Sequence, residues 1–166
     1  MKRILAVAAV IALLVGCDSK PDAPFGLKWG QSMDSVGFIK DGDCEKKQDE
    51  TVCVFGNSTP FNEQSNDNAL KFNDEGLFKV MSISIGGSAY QPDFEDFKSK
   101  LKKEVDFLNS IDFNKEALAG ITEKCNIADT CDDIEVSSKT SKGSAEVEIW
   151  RSAHDGDHQL VVTFSK

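Results

Sequence analysis

The run His154-Asp155-Gly156-Asp157-His158 holds both histidines of the chain and two carboxylates within five residues. Imidazole nitrogens and carboxylate oxygens suit zinc or another divalent transition metal, and a hairpin tip can turn both rings to one side. A tight turn with Asp-Gly at its centre explains the same letters, and an ion held there in the open would lack the outer partners that make a site selective. The turn is the expected reading. His154, Asp155, Asp157 and His158 remain the candidate ligands, and no metal or other cofactor is expected. Asp129, Asp132 and Asp133 crowd another short stretch, but without the alternating oxygen ligands and fixed glycine of a calcium loop they predict a solvated acidic loop. Ser88 is not flanked by the glycines of a nucleophile elbow. With both histidines in one turn, a hydrolytic triad has no base to use, so a non-enzymatic protein is expected.

The cysteines offer different chemistry. Cys44 with Cys53 and Cys125 with Cys131 form two close pairs, and neither pair has the two-residue spacing of a zinc knuckle or a redox dithiol. In an exported chain the short separations predict two local disulfides, each worth about 2 to 3 kcal/mol by loop entropy. Trp150 and Arg151 are the candidate contacts for a protein partner. Strand alternation places Trp150 opposite Val147 and Ile149, and a large aromatic on an open face is a common binding anchor.

The fifth cysteine closes the N-terminal segment. Met1-Lys2-Arg3 is basic, Ile4 to Val15 is an unbroken apolar run, and Gly16-Cys17 follows. The run is shorter than the roughly 20 residues a membrane-crossing helix needs, which predicts a secretory signal peptide. Leu14-Val15-Gly16-Cys17 resembles the lipobox of bacterial lipoproteins. The resemblance implies a signal peptide over 1–16, two or three acyl chains on Cys17 as residue one of the mature chain, and a lipid anchor facing the periplasm. Asp18 resembles the inner-membrane retention signal of enteric-type bacteria, which tips the expectation toward the inner rather than the outer membrane. Residues 17–24, with Pro21 and Pro24, read as an extended tether.

Removal of the signal leaves 150 residues, enough for one domain over 25–166 with a proper core. It also leaves 17 basic side chains against 28 acidic ones, a formal charge of −11. Such a surface repels phosphate, which argues against nucleic acid and against a polybasic contact with lipid head groups, and favours a basic protein partner.

Patterning predicts the elements that carry these residues. Phe25 to Gly30 alternates as a first strand, and its Gly26-Leu27-Lys28-Trp29-Gly30 looks like the opening of several small bacterial exported domains, a likeness that brings no activity with it. A short helix is expected after Ser32, a disulfide-closed hairpin over 41–55, a loop over 56–68, and a hairpin of 69–72 with 77–85 around Asn73-Asp74-Glu75-Gly76. Met81, Ile83 and Ile85 are expected to face the core, with Ser82 and Ser84 turned away. Phe94, Phe97, Leu101, Val105 and Leu108 recur at three and four residues, marking the main helix, and a second helix is expected over 114–124 with Leu118 and Ile121 inward. Strands at 134–136, 145–150 and 160–164 should form a meander. The fold class is therefore α+β: an antiparallel sheet of about six strands with one main helix and one or two short helices on one face.

The expected function is that of a membrane-anchored periplasmic lipoprotein that binds a protein partner without catalysis, in an immunity, inhibitor or envelope-assembly role. The alternative is a small-ligand or metal-binding module.

Overall fold

The computed structural model describes residues 20–86, 93–154 and 156–166. Seven antiparallel strands form one sheet: β1 (Asp43–Lys47), β2 (Glu50–Gly56), β3 (Asp67–Asn73), β4 (Gly76–Ile85), β5 (Ile134–Thr140), β6 (Gly143–Arg151) and β7 (His158–Ser165). Their spatial order is β1-β2-β3-β4-β7-β6-β5. Two meanders thus meet where β4 pairs with β7. Between them the chain leaves the sheet for α1 (Phe94–Ser110) and α2 (Lys115–Lys124). The arrangement is α+β with seven strands, one more than the patterning predicts.

Helix α1 begins where Asp93 accepts hydrogen bonds from the backbone of Glu95 and Asp96, and its first turn is acidic, as the helix dipole favours. It buries Phe97, Leu101 and Leu108 as the stripe predicts, with Phe94 and Val105 partly covered, and it also buries Glu104. Helix α2 is capped by Asn114 and turns Leu118 and Ile121 inward. Both disulfides form as the spacing predicts, Cys44 with Cys53 and Cys125 with Cys131. The first joins residues directly opposite each other in the β1–β2 register.

The expected first strand is not a strand. Phe25 and Gly26 both take positive φ in a single 3₁₀ turn, and Asp22 and Lys28 meet in an isolated bridge. Leu27 and Trp29 are spent on the core, and the segment's backbone bonds run to the β3–β4 turn, with Gly30 donating to Leu77 and Leu77 donating to Gln31. The Trp29 indole donates to the carbonyl of Lys142 at 2.7 Å. Alternation here records burial without a vacant sheet edge to join. The expected tether also docks early: Ala23 and Pro24 are buried, and Trp29 donates its backbone N–H to Pro21.

The second departure is in β4. Phe72 pairs with Leu77 and Lys71 with Lys79, which leaves Phe78 as an extra residue opposite the register shift. A bulge of one residue reverses inside and outside for the rest of the strand. Leu77 points inward, and beyond Phe78 the inward residues are Val80, Ser82 and Ser84. Met81, Ile83 and Ile85 therefore face away from the core, the reverse of what their apolarity predicts.

Among the described residues no helix is long and apolar enough to cross a membrane.

Candidate functional site: the open face of the sheet

One face of the sheet packs against α1, α2, the N-terminal segment and the 57–66 loop. On the covered side Phe25, Phe38, Phe55, Phe61, Phe107 and Phe164 meet ring to ring at 5.3 to 6.4 Å. Among the described residues the other face carries no helix, and the bulge puts the apolar residues of β4 on it. Register aligns two lines of side chains across this face. One runs Val54, Ala69, Met81, Thr163, Glu146. The next runs Asp67, Ile83, Val161, Glu148, Glu135. Val54 is 47% exposed, while Val161, in the middle of the face, is almost covered by its neighbours at 4%.

Polarity changes along each line. On these lines the β2–β4 half is apolar apart from Asp67 at its edge, whereas the β6–β5 half is acidic. Glu135 and Glu148 stand directly opposite each other, a like-charge pairing that disfavours the sheet on its own. Neither they nor Glu146 has a lysine or arginine within ion-pair distance among the described residues. Trp150 stands on the same face, opposite Gln159. With Asp133, Ile134, Glu135, Glu148 and Ile149 it lines a shallow hollow of about 230 Å³.

Arg151, the other candidate contact, is the next residue of β6 and alternates away from Trp150. Its guanidinium lies 3.5 Å from Asp129 and donates to the Gly156 carbonyl at 3.2 Å, while its backbone N–H donates to Asp132 at 2.7 Å. Two of the three loop aspartates therefore serve Arg151, closing the end of the β6–β7 hairpin.

The histidine turn is pulled apart by the sheet. His158 is the first residue of β7 and is buried, 4.8 Å from the Phe94 ring and 5.2 Å from that of Phe97, with Nε2 3.1 Å from the Ala128 carbonyl. His154 is exposed and Asp157 is buried, its carbonyl accepting from Ser152. Among the described residues no group of three or more histidine, cysteine or acidic side chains is placed to hold a metal ion. Cys17, Asp18, Ser88 and Asp155 lie outside the described residues.

Sequence reading missed Glu104. Its carboxylate is 1% exposed and accepts hydrogen bonds from the side-chain amides of Asn62 and Gln64, with Oε1 left without a donor. Burial pushes its pKa above the ordinary glutamate value, against the opposing pull of the two amides. The signal was present in the spacing: Glu104 stands seven residues after Phe97 and four before Leu108, on the inward stripe itself.

No protein-family model, no curated protein and no solved structure matches this chain.

Proposed function

We propose that this is an exported, lipid-anchored domain that acts by binding a basic protein partner through the open face of its sheet, without catalysis. The observation that carries the reading is the outward set of Met81, Ile83, Ile85 and Val161 beside the acidic side chains of Glu135, Glu146 and Glu148, which have no ion-pair partner among the described residues. Apolar area supplies binding energy, and exposed charge supplies orientation and encounter rate. A partner with an apolar ridge flanked by lysine or arginine fits both halves. Trp150, at the acidic end, offers an aromatic face for a guanidinium. Inhibition of a basic envelope enzyme, an immunity role and an envelope-assembly role would each call on such a face.

The test places a photo-crosslinking amino acid at Ile83 in the full chain, in cells. A discrete adduct is expected that disappears when Glu135 and Glu148 are both changed to Gln, and that is absent when the crosslinker stands at Lys102 on α1. An adduct pattern identical at Ile83 and Lys102 would overturn the reading.

A further inference from the structure

The acidic total hides an uneven distribution. Three of the turns, β1–β2 at 48–49, β3–β4 at 74–75 and β5–β6 at 141–142, and the C-terminus of β7 lie at one end of the sheet, with the β2–β3 and β6–β7 connections at the other, because Lys47 pairs with Glu50, Asn73 with Gly76, Thr140 with Gly143, and Ser165 with both Lys79 and Ser144. The N-terminal segment enters the domain at that same end. Asp22 bonds to Lys28 and Lys142, Trp29 to Lys142, and Lys20 to the Gly30 carbonyl. Lysines collect there. Lys28, Lys47, Lys71 and Lys142 are paired with Asp22, Glu45 and Glu50. Lys46, Lys79, Lys139 and Lys166 have no carboxylate within ion-pair distance among the described residues. Asp49, Asp74, Glu75 and Asp112, the last next to Ile111 whose carbonyl accepts from Ser141, are further acids at this end. The far end carries Asp67, Asp93, Asp129, Asp132, Asp133 and Glu135, and its cations Lys100 and Arg151 are paired with Asp96 and Asp129, so the excess of acid lies toward that end of the strands.

We propose that the turn end of the sheet, with Lys20, Lys79, Lys139 and Lys142 at its surface, is a membrane-apposed surface that meets anionic lipid head groups, so that the strands stand along the membrane normal. The proposal rests on lipidation at Cys17. From Cys17 to Pro21, whose carbonyl is already fixed to Trp29, the chain can span at most about 14 Å. Head groups therefore lie within one or two screening lengths, about 8 to 10 Å each at physiological salt, of whatever surface surrounds the entry point. That surface is the lysine-bearing one. Anionic lipid attracts it and repels the far end. The open face then stands perpendicular to the bilayer, accessible from the side.

Lysine footprinting of the mature lipidated protein tests this. The protein is reconstituted in vesicles of phosphatidylcholine alone or with about one third phosphatidylglycerol and labelled with an amine-reactive ester, and each lysine is quantified by mass spectrometry. In the anionic vesicles Lys79, Lys139 and Lys142 are expected to react at least threefold more slowly, relative to Lys98, Lys102 and Lys115 on the helices, than in the neutral ones, and Lys139→Glu/Lys142→Glu should abolish the difference. Equal reactivity of the two sets in anionic vesicles, with the protein still floating with the lipid, overturns the proposal. Failure of the wild-type protein to float at all would instead reject the anchor on which it rests.

Discussion

Glu104 places a carboxylate inside the core. An ionised carboxylate at 1% exposure with one unmet oxygen is disfavoured, so the folded protein holds its proton to higher pH than the unfolded chain does. The sign follows from proton counting. The residue's contribution is fully favourable below the unfolded pKa, near 4.3, and is lost as pH rises through the raised folded value. Glu104→Gln keeps an acceptor for Asn62 and Gln64 and removes the charge. The variant should melt above wild type at pH 8 and with it at pH 3, each pKa unit of displacement corresponding to about 1.4 kcal/mol, or roughly 3 to 6 °C for a domain of this size. Parallel melting curves across that range would show that the carboxyl does not titrate with folding.

Among the elements, β4 decides the character of the whole sheet. With the bulge at Phe78, Ser82 is buried beside Asn68, and the Ser82 hydroxyl and the Asn68 side-chain Oδ1 both lack a hydrogen-bond partner among the described residues, while Ile83 next door is half-buried on the open face. Two substitutions of one type at adjacent positions expose this polarity. Ile83→Asp should cost less than about 1.5 kcal/mol in denaturant unfolding, since its new charge reaches water, whereas Ser82→Asp should cost more than about 3 kcal/mol by burying an uncompensated charge. The opposite ranking would mean that Met81, Ile83 and Ile85 face the core after all, and the open face would lose its apolar half.

At the scale of the molecule, chain entry, charge and the open face share one frame. The strands run from a lysine-bearing end, where the chain arrives, to an acidic end, and the open face connects the two. If Cys17 carries acyl chains, attachment is effectively permanent, at about 0.8 kcal/mol per buried methylene. Cys17→Ala should release the protein from the membrane fraction. On a density gradient, wild type should band with the inner membrane and Asp18→Ser should move it outward. Wild-type protein in the outer-membrane band, unmoved by Asp18→Ser, would show that Asp18 does not direct retention, and continued pelleting of Cys17→Ala would remove the lipid anchor.

Local pattern was sufficient wherever the physics is local. Helices α1 and α2 follow from apolar spacing, both disulfides follow from short separations, and the β3–β4 and β5–β6 hairpins follow from their glycine turns. What escaped depends on contacts between segments far apart in the chain. Phe25 to Trp29 alternates like a strand because its side chains enter the core, yet its backbone bonds are taken by Leu77 and by the N-terminal turn, so no sheet edge receives it. The bulge at Phe78 is invisible in β4 itself, since it exists only in the pairing with β3, and that one residue exchanges the two faces of the strand. The histidines share a turn in the chain but not in space, because β7 draws His158 under Phe94 and Phe97 and leaves His154 outside. Composition set the amount of acid and lysine on this protein. Only the tertiary structure decided their uneven placement, because the three turns and the entry of the chain come together through the pairing of β4 with β7 and through the bond of Trp29 to Lys142, 113 residues away.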